Sequence, residues 1–204
     1  GKQLYVQEGT TLLDAAKSQG INIPTLCHHP ELEPYGGCRL CSVQVSRNGR
    51  ASVTTACNTR VEEGLVVQTD SARALATRKM MAELILARTP NVPAIQRMAA
   101  SLGIETPRLV IPNADETCVL CGLCVRACHE VAHQDVLGFV DRGPERQVTM
   151  AYETYNPAAC DDCDKCLARD TSAGQLRFVC PLCERHYAAR PDDALVGSFT
   201  LTGE

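Results

Sequence analysis

Cysteine is the residue type that sets this chain apart, with 13 among its 204 residues and most of them three positions from another. Closely spaced thiolates on short loops are suited to clamping a metal centre, and an odd number fits a disulfide framework badly. Three groups stand out. Cys27, Cys38, Cys41 and Cys57 are separated by 10, 2 and 15 residues. Cys118, Cys121, Cys124 and Cys128 follow as C-x2-C-x2-C-x3-C, and Cys160, Cys163 and Cys166 repeat the three-residue step before Cys180 and Cys183.

The remaining composition limits what those thiols can serve. Hydrophobic residues at 45% and charged residues at 22% describe an ordinary globular chain. A net charge of -4 gives no basic footprint, so neither nucleic acid nor an anionic membrane is an expected partner. The most apolar stretch, Met80 to Ala87, is interrupted by Glu83 and falls far short of the roughly 20 residues of a membrane span. No basic segment followed by an apolar core opens the chain. These features predict reduced thiols, a cytoplasmic location and no membrane insertion. There is no G-x-G-x-x-G after a strand, no Walker A loop and no G-x-S-x-G. The chain therefore reads as a carrier of electrons with no substrate site of its own.

In the first group, Gly36 and Gly37 precede Cys38-Arg39-Leu40-Cys41. Glycines let the backbone curl around an anionic centre and aim N–H groups at sulfur. Four thiolates so arranged fit a 2Fe-2S cluster, although plant-type ferredoxins have four residues between the first two ligands where this chain has ten.

The segments Thr11-Leu12-Leu13-Asp14-Ala15-Ala16, Ile23-Pro24-Thr25-Leu26-Cys27 and Gly37-Cys38-Arg39-Leu40-Cys41 resemble the β-grasp ferredoxin domain of a known family. That domain begins the large iron-sulfur subunit of NADH:quinone oxidoreductase. The diaphorase iron-sulfur subunit of NAD-reducing hydrogenases and the N-terminal part of FeFe-hydrogenases look similar. The resemblance implies that Cys27, Cys38, Cys41 and Cys57 hold one 2Fe-2S cluster, and it continues through Ala82-Glu83-Leu84-Ile85-Leu86-Ala87. Family members normally begin with a strand before the Gly-Lys turn, whereas this sequence opens at Gly1-Lys2. Leu4 to Gln7 is then expected at an exposed sheet edge unless another chain covers it. Many relatives also carry a His and three Cys after the helix for a further 4Fe-4S cluster. Arg88 to Pro107 contains neither residue type, so that cluster is not expected.

Cys118 to Cys128 is the bacterial ferredoxin run, in which three cysteines reach three corners of one cubane and the fourth serves a second cluster. Cys118, Cys121 and Cys124 with Cys180, which precedes Pro181, would hold one 4Fe-4S cluster. Cys128 with Cys160, Cys163 and Cys166 would hold another. Cys124-Val125-Arg126-Ala127-Cys128-His129-Glu130-Val131 again resembles the same family. Here 13 residues, Leu167 to Val179, separate Cys166 from Cys180 where the ferredoxin spacing has three. Cys163, Cys166, Cys180 and Cys183 also read as two C-x2-C knuckles of a zinc or mononuclear iron site, leaving one 4Fe-4S cluster beside it. Cys160 favours two cubanes, because a zinc ribbon has no use for it. Whether Cys180 or Cys183 completes a cubane stays open.

Other polar residues have plainer readings. His28 and His29 follow Cys27 but four cysteines already complete that group, so surface or loop positions are expected. His133 and His186 are treated alike, and His129 is a candidate donor to a cluster sulfur. Asp161, Asp162 and Asp164 are expected to form a solvated loop.

The elements that position these groups follow from local pattern and give an α+β chain. Thr10 or Thr11 caps a helix that stops at Gly20. Cys41 to Ser46, Ala51 to Ala56 and Leu65 to Thr69 alternate as strands, with Asn48-Gly49 as a hairpin turn. Asp70 or Ser71 opens a long helix ended by Pro90, in which Leu75, Met80, Leu84 and Ile85 are expected to share a face. Met80 and Met81 are expected as packing residues. Pro93 to Leu102 forms a second helix that ends at Gly103, and a hairpin is expected around Gly143-Pro144. The predicted organisation is a β-grasp 2Fe-2S ferredoxin domain over 1–70, a helical connector over 71–112, a bacterial-ferredoxin-like 4Fe-4S domain over 113–190 and a tail over 191–204. The resemblance implies partners within an oxidoreductase complex: a flavin or NAD(P)H-oxidising subunit on one side and a catalytic subunit, such as a hydrogenase or formate dehydrogenase, on the other. A zinc-stabilised interaction module is the alternative from another class.

Overall fold

The computed structural model describes residues 3–109, 118–131, 133, 135, 137–150, 168–170 and 177–179. Thr11 starts the first helix, α1 (Leu12–Ser18), as the sequence predicts: its hydroxyl accepts from the Asp14 N–H at 3.1 Å and donates to the Asp14 carboxylate at 2.6 Å. The hairpin of β1 (Ser42–Arg47) and β2 (Arg50–Thr55) closes through Asn48 and Gly49, both at positive φ. That is the geometry whose twist matches the paired strands. β3 (Val66–Gln68) pairs antiparallel with the other side of β1, so the sheet order is β2-β1-β3. Leu12, Leu13, Ala16 and Ile23 pack on Val43 and Ala56, and this core also encloses Cys41 and Cys57.

Leu4 to Gln7 is not a strand; Tyr5 there is 89% exposed. No strand among the described residues pairs with this stretch, and a lone extended segment has no ladder to join. The expectation of a sheet-edge strand is corrected accordingly.

Ser71 caps α2 (Ala72–Arg88), accepting from the Ala74 N–H at 3.2 Å, and α3 (Pro93–Ser101) starts on Pro93. Their shared core joins Ala82, Leu86, Ala94, Ile95, Met98 and Ala99 to Leu26 and Leu40 from the cysteine loops. These helices thus share an interior with the first cysteine group. The buried face of α2 is not the predicted one. Ala74, Arg78, Ala82 and Leu86 face inward, while Leu75 and Leu84 are only half-buried and Met80 is 45% exposed. Small alanines let the helix approach the sheet closely, and the long side chains are displaced to its flank. Met81 packs against the core as expected.

Past the described stretch ending at 109, α4 (Leu123–Arg126) runs directly into a single π-helical turn, Ala127–Val131. A hairpin of β4 (Leu137–Val140) and β5 (Gln147–Met150) follows, one strand on each side of Gly143-Pro144. Within the 167–179 insertion, β6 (Ala168–Asp170) pairs antiparallel with β7 (Arg177–Val179). The sequence reading did not foresee this pair of strands.

Candidate iron-sulfur site

Three loops converge to place the first four thiols. Cys27 follows the turn after α1, Cys38 and Cys41 belong to the loop that feeds β1, and Cys57 stands just beyond β2. Cys27, Cys41 and Cys57 are buried and Cys38 is half-buried. They meet as two pairs: Cys38 with Cys27, and Cys41 with Cys57. Among the described residues no three His, Cys, Asp or Glu side chains converge on a single ion. Two pairs of thiolates suit a binuclear centre better than one tetrahedral ion.

Backbone N–H groups point at these sulfurs. The Cys38 N–H donates to Cys27 Sγ at 3.3 Å, and Gly37 also donates there. Gly36 donates to Cys57, Leu40 to Cys38, and the Cys57 N–H to Cys41. The Cys38 thiol, these amides and the nearby Arg126 charge draw the Cys27 pKa down to about 6 against the opposing effect of burial. The Cys41 thiol does the same for Cys57, again against burial. Cys38 and Cys41 are pushed up, each by donating to its thiolate partner and by burial. Both shifts push Cys27 and Cys57 toward the thiolate, the form a metal needs.

The cradle leaves no room for side chains. Gly36 adopts φ +68, and a Cβ there would stand 2.7 Å from Asn58 Nδ2; at Gly37 it would stand 2.2 Å from the Tyr35 ring. Arg39 turns the Cys38–Cys41 loop at φ 60, and Leu120 turns the Cys118–Cys121 loop at φ 55. Sulfur pairs, inward amides and a tight Gly cradle together fit an anionic 2Fe-2S group.

The second run is more open. Cys118 is exposed, Cys121 and Cys124 are half-buried, and Cys128 is buried beside Leu137. Gly122, at φ +73, begins α4 where a Cβ would press on Phe139 at 3.0 Å. Cys160, Cys163, Cys166, Cys180 and Cys183 lie outside the described residues, as do His186 and Asp161, Asp162 and Asp164.

The two cysteine regions adjoin. Cys38 and Cys121 pack against the same hydrophobic core. Leu32, from the loop between Cys27 and Cys38, packs with Leu123 and Ala127. Arg126, between Cys124 and Cys128, donates to the Cys27 carbonyl at 2.9 Å and to the Glu33 carbonyl, and its guanidinium lies 5.4 Å from the Tyr35 ring centroid. Glu130 completes this clamp, accepting from Arg126 Nε at 3.2 Å and from the Glu33 N–H at 2.7 Å. Arg88 does similar work from α2, donating to the carbonyls of Cys118, Pro144 and Arg146 at 3.2, 2.8 and 2.6 Å.

The histidines differ from expectation in burial. His29 is buried, and its Nδ1 accepts from the Glu31 N–H at 3.1 Å, a local turn contact. His28 is half-buried and burial lowers its pKa. It lines a cavity of about 650 Å³ with Thr11, Asp14, Lys17 and Glu130 among the walls. Proline and turn residues fold the 28–34 loop inward, which a residue-type rule for histidine does not capture. His129 contacts the Asp135 carboxylate. Tyr35, Arg78, Arg88 and Arg126 were not singled out from the sequence. The available signals were an arginine within an alanine-lined helical face and an arginine between two ligand positions.

Residues 1–72 match the family of 2Fe-2S iron-sulfur cluster binding domains. The N-terminal part of the chain is therefore a 2Fe-2S domain. As a whole, the chain is 31% identical over a 217-position alignment to an NADH-quinone oxidoreductase subunit of Rhizobium meliloti, covering 94% of this chain and 24% of that protein. It is 29% identical over 180 residues to the gamma subunit of the NAD-reducing hydrogenase HoxS of Cupriavidus necator, covering 76% of this chain and 75% of that one. A crystal structure of an NAD+-reducing NiFe-hydrogenase in its H2-reduced state includes a chain that superposes with a TM-score of 0.59 at 27% identity, covering 74% of this chain and 72% of that chain. The chain spans about a quarter or less of the length of the first relatives it matches, 22% and 24%.

Proposed function

We propose that this chain is an electron-relay segment of a multi-subunit oxidoreductase, with a 2Fe-2S cluster held by Cys27, Cys38, Cys41 and Cys57. When bound, such a centre takes up and returns one electron at a time, near -400 mV in plant-type ferredoxins. The protein's part is to supply thiolates, direct amides at them and exclude water. The observation that carries the reading is the union of two cysteine groups on one core, with Cys38 and Cys121 packed against the same buried side chains and Arg126 reaching the Cys27 carbonyl.

The second region extends this reading to two 4Fe-4S clusters in a bacterial-ferredoxin-like arrangement, one on Cys118, Cys121, Cys124 and Cys180 and one on Cys128, Cys160, Cys163 and Cys166. The β6–β7 hairpin supports it, because direct pairing of Ala168 with Val179 closes the insertion at its base. Relatives named as subunits of an NADH-quinone oxidoreductase and of an NAD-reducing hydrogenase support partners within an oxidoreductase complex, which we take to be a flavin or NAD(P)H-oxidising subunit at one end and a catalytic subunit, such as a hydrogenase, at the other. No helix among the described residues is long and apolar enough to cross a membrane. A cytoplasmic setting belongs to the same reading, because a reducing compartment keeps cluster-holding thiols reduced.

Anaerobic purification with assays of iron, acid-labile sulfide and zinc tests the reading. The expected result is a brown protein with iron and sulfide in near-equal amounts, about ten iron atoms per chain if all three clusters load. A colourless, sulfide-free sample that holds only zinc would refute it.

A further inference from the structure

Arg78 is a buried cation that forms no ion pair with a carboxylate among the described residues. It lies on the inner face of α2 between Ala74 and Ala82 and is only 6% exposed. Its Nε donates to the Ser42 carbonyl at 2.9 Å, and its Nη2 is buried with no hydrogen-bond partner. The acidic groups that act on it through space are Cys41, next to the Ser42 it bonds, and Asp70. Arginine does not give up its proton in a protein. Removing a guanidinium from water is costly, and one carbonyl does not neutralise it. A buried guanidinium with an unused donor beside a cysteine cradle calls for an anion in that cradle.

We propose that Arg78 is the built-in counter-cation of the first cysteine centre, a fixed positive charge that favours the more negative, reduced form and couples occupancy of the centre to the docking of α2. This rests on the 2Fe-2S reading given above. The reduction concerned adds one electron, delivered in the test by dithionite, and no bond forms or breaks. Because α2 also carries the core contacts of Ala82 and Leu86 and the Arg88 clamp, a charge at Arg78 ties the first centre to the element that supports the second.

The test is a mediated dithionite titration of the full chain, loaded anaerobically, with the 2Fe-2S midpoint read by electron paramagnetic resonance. Arg78→Met removes the charge at similar volume, Arg78→Lys retains it, and Arg73→Gln removes an exposed charge from the same helix. The expected result is a lower midpoint in Arg78→Met, a midpoint close to that of the unaltered protein in Arg78→Lys, and little change in Arg73→Gln. An unchanged midpoint in a fully loaded Arg78→Met protein would overturn the proposal. Failure of Arg78→Met to load, with loading regained in Arg78→Lys, supports it; failure of both variants to load marks Arg78 as a packing residue and overturns it. If the unaltered protein contains no iron and sulfide, the relay reading itself fails.

Discussion

The two cysteine regions solve one chemical problem in different ways. The first gathers four thiols from three separate loops, buries three of them and surrounds them with amides from Gly36, Gly37, Cys38, Leu40 and Cys57. The second carries its four described thiols on one short run, leaves Cys118 exposed and is held in position by arginine clamps. A centre assembled from distant loops needs a folded scaffold before it can bind. A centre that takes three ligands from one short run has most of its spacing set locally and needs the run docked beside its remaining ligand. The first is thus tuned by its surroundings and the second by its placement.

The sharpest way to break this comparison is to remove one ligand at a time. Cys41→Ala should abolish the 2Fe-2S paramagnetic signal and leave cubane signals in place, whereas Cys121→Ala should remove one cubane's signal and leave the 2Fe-2S signal in place. Both signals vanishing in either variant would show that the regions fold as one cooperative metal-dependent unit. Next in size is the junction. Arg126→Met strips donors from the Cys27 and Glu33 carbonyls and leaves Glu130 without its cation, so urea unfolding should show a loss of about 3 kcal/mol. Hydrogen exchange should rise at both 27–35 and 123–131. Faster exchange in only one of those segments would mean that the clamp does not join them.

A smaller effect is expected from the cradle alone. Gly36→Ala forces a Cβ against Asn58 at positive φ and should cost about 2 kcal/mol, with faster bleaching of the first centre and no change in the second. The smallest effect concerns pH. Hydrogen bonds from Arg108 hold the Glu83 carboxyl at about 2, below its ordinary 4.5. A depressed carboxylate pKa stabilises the fold above the unfolded value and loses that contribution as pH falls toward the folded one. Unfolding of the metal-free protein should therefore show extra acid sensitivity between about pH 4.5 and 2 that Glu83→Gln lacks. Equal acid profiles for the two proteins would remove this contact from the account.

What the sequence made legible was local. Thr11 and Ser71 cap their helices, Asn48-Gly49 closes the hairpin and Pro93 opens α3, because each depends on a few neighbouring residues. The first cysteine group was also legible, since its spacing and its Gly36-Gly37 step state the need for a tight anionic cradle. The inner face of α2 was not. Its burial is decided by how closely Ala74 and Ala82 approach the sheet and by an arginine that periodicity assigns to solvent. The Arg126 clamp was equally invisible, because its acceptors Cys27 and Glu33 are more than 90 residues away in the chain. The β6–β7 pair was hidden within a stretch noted only for interrupting a motif.

The most direct test of the account is whether the two regions hold clusters close enough to sense each other. Electron paramagnetic relaxation of the 2Fe-2S signal should be followed while the loaded, full-length chain is reduced stepwise by dithionite. The account predicts that relaxation of the first signal quickens as cubane signals appear, and that Arg126→Met weakens this effect. A 2Fe-2S signal whose relaxation stays the same through full reduction would contradict it.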